Sequence, residues 1–74
     1  MTDKASAHAR RAVSRLTEEQ RDAVAEAYEV EGLISFVGGH EIGIALYKLG
    51  IVDSASRLTP HGLAVRHIIL EQRG

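Results

Sequence analysis

The sequence predicts a small, mainly α domain of about four helices with a minimal β-hairpin. Segments of helical periodicity recur along the chain, and most are bounded by recognisable starts and stops. The stretch from Ile44 to Gly62 reads as a helix end, a glycine stop, a short apolar strand, a polar tip, a second strand and a helix start. Size supplies the third observation. Seventy-four residues, 45% hydrophobic and without cysteine, make one domain near the lower limit for a core that stands alone. With two Tyr, one Phe and no Trp, that core must be built from Ala, Val, Ile and Leu.

The elements follow in order. Residues 1–16 form a basic N-terminal helix or arm, and residues 17–74 the domain proper. Asp3 to Leu16 reads as a helix with Ala5, Ala9, Ala12, Val13 and Leu16 on one face and Arg10, Arg11 and Arg15 away from it. Alanine favours the helix but buries little area, so loose attachment is expected unless a partner covers it. Fraying over residues 1–6 is also expected. Thr17 opens a second helix with a capping box to Gln20, and Glu18 and Glu19 suit the positive helix start. Val24, Ala27, Tyr28 and Glu31 continue a stripe, and Gly32 ends it.

Leu33 to Val37 supports two readings. It is either a short strand pairing with the hairpin or the single turn of a first helix in a helix-turn-helix, with Gly38–Gly39 as the turn. Only five or six residues are available for such a helix, which favours the strand. His40 to Leu49 is a helix apolar nearly all round, and such a helix is covered from more than one side. Gly50 stops it in the left-handed conformation that costs glycine nothing. Ile51–Val52 and Arg57–Leu58 form the hairpin around a polar tip at residues 53–56. Thr59 caps the last helix and Pro60 supplies its preset φ. That helix, to about Gln72, is again rich in apolar residues, including Val65, Ile68, Ile69 and Leu70. The two apolar helices carry more surface than so short a chain easily covers. A homodimer is therefore expected, with Ile44, Tyr47, Ile68 and Ile69 as the partner or dimer interface.

Charge is unevenly placed although the net charge is only -1. Lys4, Arg10, Arg11 and Arg15 outnumber Asp3 in the first sixteen residues; six acidic residues outnumber Arg21 over residues 17–31. A basic arm beside an acidic helix suits a nucleic-acid contact or head-to-tail pairing of two chains. Two solvated helix faces are the plainer alternative.

The run "LGIVD", a short tip and "RLTPHGLAV", following an apolar helix, resembles the C-terminal half of winged helix-turn-helix domains of the MarR and PadR type. The resemblance covers roughly residues 40–70. It implies a winged-helix-like fold, duplex DNA as partner, His40–Leu49 as recognition helix and residues 51–58 as wing. The tip departs from the family, being only four or five residues long, too short for a wing that reaches DNA. A hairpin that merely links two packed helices stands beside the wing as an alternative. On the DNA reading, Arg10, Arg11, Arg15, Lys48 and Arg57 touch phosphate, with His40 and Lys48 nearest the bases. Glu41 opposes phosphate.

Motifs for other chemistry are missing. There is no P-loop, dinucleotide fingerprint or nucleophile elbow, and GGHEIG has neither the spacing nor the Lys of a phosphate cradle. His40–Glu41 lacks the second histidine of a zinc-protease helix, since Ile44 stands there. His8, His40, His61 and His67 make no ligand set; His61 reads as a polar tip at a helix start and His67 as the edge of the core. No enzyme, metal or cofactor is expected. Without an apolar run approaching ~20 residues, or a secretory signal, a soluble cytoplasmic protein is expected. The reading is a small DNA-binding transcriptional regulator or accessory protein, of phage type. The alternative is a non-enzymatic interaction module, such as a compact phage-encoded inhibitor or adaptor, using the apolar helix and the acidic Glu26–Glu31 face.

Overall fold

The computed structural model describes residues 2–36 and 38–74, with side chains from Ala7 onward. Ala5 as a core contact and the end of the LISFV run at Val37 thus lie outside what is described, whereas residues 2–6, where fraying is expected, are helical. Four helices, α1 (Thr2–Arg15), α2 (Glu18–Ala25), α3 (His40–Lys48) and α4 (Pro60–Arg73), accompany a two-stranded antiparallel sheet of β1 (Tyr28–Val30) and β2 (Leu33–Ser35). The expected class, mainly helical with a small hairpin, is the observed one.

Helix α2 begins as its capping box requires. Thr17 Oγ1 accepts from the Gln20 amide at 3.1 Å, and the Thr17 amide donates to Gln20 Oε1 at 3.0 Å. Its end differs from the expectation. The helix stops at Ala25, and Tyr28, Glu29 and Val30 pair with Ser35, Ile34 and Leu33. Glu31 and Gly32 make the two-residue turn with φ of 53° and 82°, the left-handed pair that matches the twist of adjoining strands. Gly32 therefore marks a hairpin turn rather than a helix stop, and Tyr28 and Glu31 leave the stripe assigned to them. Tyr and Val at 28 and 30, followed by Leu33 and Ile34, favour extended backbone once a partner strand is present.

The strand reading of Leu33–Ser35 holds, so this stretch does not supply a first helix ahead of α3. The other edge of β2 meets the second, shorter hairpin. The Leu58 amide donates to the Ile34 carbonyl at 2.7 Å and the Phe36 amide to that of Ser56 at 3.2 Å. Residues 51–58 turn back where expected, but through a single bridge between Val52 and Leu58.

Helix α3 ends in a Schellman arrangement. Gly50, at φ 76°, donates to Tyr47 at 3.0 Å while Ile51 donates to Leu46 at 2.9 Å. Thr59 then starts α4, its hydroxyl accepting from the Gly62 amide at 3.0 Å and donating to the Gly50 carbonyl at 2.5 Å.

The core joins every helix. Ala9, Val13 and Leu16 from α1 and its end, Val24 from α2, Leu46 from α3, Ile51 and Val52, and Val65, Ile68 and Ile69 from α4 are buried together. Contrary to the expected loose attachment, α1 packs on α4, because its alanines let the two backbones approach. The guanidinium of Arg21 caps the end of α1, donating to the Leu16 carbonyl at 2.9 Å. Ile68 and Ile69, expected at a partner interface, lie instead in this core: α1 and α2 cover α4 within one chain. Ile44 and Tyr47 remain exposed.

Candidate nucleic-acid interface

Two turns of α1 put His8, Arg11 and Arg15 on one stripe, at i, i+3 and i+7. Because α4 lies along α1 and begins at Pro60, His61 arrives opposite that stripe in the first turn of α4. The rings of His8 and His61 are 4.7 Å apart, centroid to centroid, and tilted by 38°. Together with Ala12 and Leu49, these four basic residues line a hollow of about 170 Å³, and among the described residues no acidic side chain lines it. None of the four takes part in an ion pair among the described residues. Partial burial holds His61 below its ordinary value of 6.5, and the charge of neighbouring His8 lowers it further. The hollow thus gathers basic side chains, with no counter-charge among the described residues.

The other expected DNA contacts do not join it. Arg10 is exposed but does not line the hollow. Lys48 is exposed in the last turn of α3, beside Leu49, while His40 sits at the opposite end of that helix, about 12 Å away along its axis. Arg57 is engaged locally. Its Nε lies 3.6 Å from an Asp53 oxygen, and its amide donates to Asp53 Oδ1 at 3.0 Å. That hydrogen bond, chiefly, holds the Asp53 carboxyl below its usual value of 3.8, with the Ala55 amide and the Arg57 charge assisting against desolvation. Of the six expected contacts, only Arg11 and Arg15 come together. His8 and His61 were missed as members. The spacing of His8 with the two arginines is visible in the sequence, but nothing local announces that His61 will face them.

A second depression, about 520 Å³, runs between α3 and the 52–56 turn. Ile44, Tyr47, Phe36 and Val52 line it, with His40 and Asp53 at its margins. Gly43 leaves room for the Phe36 ring, whose tip lies 3.0 Å from where a β-carbon would stand. Its character is mainly apolar, with the Asp53 carboxyl and the His40 imidazole beside it.

No protein-family model matches this chain, and neither a curated protein nor a solved structure does. Fold class is therefore what can be stated of its kind: a small, mainly helical domain with a two-stranded hairpin. Among the described residues no helix is long and apolar enough to cross a membrane, and no three potential metal ligands are grouped.

Proposed function

We propose that this protein is a small, non-enzymatic DNA-binding regulator or accessory protein that grips duplex backbone phosphate through the α1 face bearing Arg11 and Arg15. The observation that carries the reading is the basic hollow: four basic side chains converge from two helices, with no acid lining the space among the described residues. Arg10 and Lys48 are exposed and extend the positive surface beyond the hollow. Phosphate contacts of this kind orient a protein on DNA without reading sequence. Anisotropy of a labelled random duplex tests it. Two phosphate contacts predict a salt slope near -2, so affinity falls about tenfold between ~50 and ~200 mM salt. Arg11→Glu with Arg15→Glu abolishes binding while circular dichroism stays unchanged. Absence of wild-type binding at low salt overturns the reading.

The groove beside α3 favours a second reading, a protein-binding module or homodimer face. Ile44 and Tyr47 are 43% and 56% exposed there, and large apolar groups on one groove are the usual anchors of a partner. Tyr47→Asp then abolishes capture or self-association with little effect on folding. A light-scattering mass of one chain at tens of micromolar counts against the dimer form.

A further inference from the structure

The histidine pair opens a question that the arginines alone do not. Two imidazoles 4.7 Å apart repel when both are protonated, and solvent reaches His61 only in part. Two arginines, charged at every relevant pH, border the same space. Partial burial and the neighbouring ring therefore disfavour the protonated form of His61 while the hollow is empty. A tetrahedral oxyanion placed in it reverses that balance: it accepts from both guanidinium groups and from any imidazolium N–H facing it.

We propose that the hollow formed by His8, Arg11 and Arg15 of α1 and His61 of α4 is a phosphate-type oxyanion site, and that its occupation draws a proton onto the histidine pair. The shape fits. About 170 Å³ accommodates one such group with attendant water, and is small for a whole nucleotide. Among the described residues the charged and titratable groups facing the space are those four; from the end of α3 the apolar Leu49 contributes. As a contact to duplex phosphate, the site rests on the DNA-binding reading above. As a receptor for a free oxyanion, it stands without it.

The sign follows from proton linkage. Uptake of one proton on binding makes affinity rise as pH falls, by at most tenfold per unit, across the interval between the lowered value of His61 in the empty site and its raised value in the occupied one. In the empty protein the partial burial of His61, and after it the nearby His8, acts on folding. Because the folded state holds His61 low, stability declines as pH drops below 6.5, and a bound anion removes that decline.

Inorganic sulfate is the probe, since its charge is constant between about pH 5.5 and 7.5, where histidine titrates. Histidine ring resonances are followed by NMR at constant ionic strength set with chloride. Saturable shifts of His8 and His61, severalfold tighter at the lower pH, are expected, with His40 and His67 unmoved as internal controls. Equal response of all four rings, or none beyond that to chloride, overturns the site. A labelled duplex titrated at the same two pH values separates the sources. Duplex affinity whose pH dependence survives His8→Gln and His61→Gln overturns the site while leaving DNA binding intact. Sulfate binding without duplex binding sustains the site and removes the DNA reading.

Discussion

The chain reverses direction twice through extended backbone, and the two reversals are built on opposite terms. At Tyr28–Ser35 three residues pair with three in full register around a two-residue turn, yet Tyr28 is 52% and Leu33 45% exposed. At Ile51–Thr59 a single bridge forms, yet Ile51 is 0% and Val52 3% exposed. The Ile51 carbonyl accepts from the Thr59 amide at 3.0 Å, and α4 passes so near that a β-carbon on Gly62 would stand 2.0 Å from it. Regular hydrogen bonding and stabilisation are thus separated in one small protein. Exchanging water for a backbone partner contributes little net, about 1 kcal/mol per bond. Removing an isoleucine side chain from water contributes roughly 2 kcal/mol before packing is counted. The less regular reversal is the one that holds the fold.

Substitutions can break or sharpen that contrast. Gly62→Ala has the largest expected effect, because its obstacle is backbone rather than a movable side chain. A loss of about 3 kcal/mol or more is expected, read as a fall in urea midpoint at constant slope. Ile51→Ala follows, with about 3 kcal/mol from lost burial and the cavity left behind. The matching change in the regular hairpin, Leu33→Ala, is expected to stay within about 0.5 kcal/mol, as exposed positions do. Equal costs for Ile51→Ala and Leu33→Ala would dissolve the comparison.

Much of the fold was legible where the cause is local. Thr17 with Gln20, Gly50 after α3, and Thr59 before Pro60 each satisfy helix-end groups within a few residues, and each stands where the sequence places it. The first strand of the hairpin, Tyr28–Val30, was read as helix for a physical reason. Val24, Ala27, Tyr28 and Glu31 do recur at helical spacing, and only the limb at residues 56–58, bonded to the far edge of β2, makes extension the better state. The site was half legible. Arginine at 11 and 15 marks a basic face from composition and period, whereas His61 joins it through the packing of α1 on α4.

By itself the sequence determined the size of the domain, its helical class, and where most helices begin and end. Capping, glycine stops and proline starts are short-range hydrogen bonds and backbone preferences, complete within one turn. Tertiary structure alone decided which apolar residues are core and which are surface. Ile68 and Ile69 are buried because α1 and α2 flank α4; Ile44 and Tyr47 stay outside, where α3 has no such cover. It also decided which charges meet. Burial and electrostatic convergence depend on distances between segments far apart in the chain, and those distances exist only once the helices have packed.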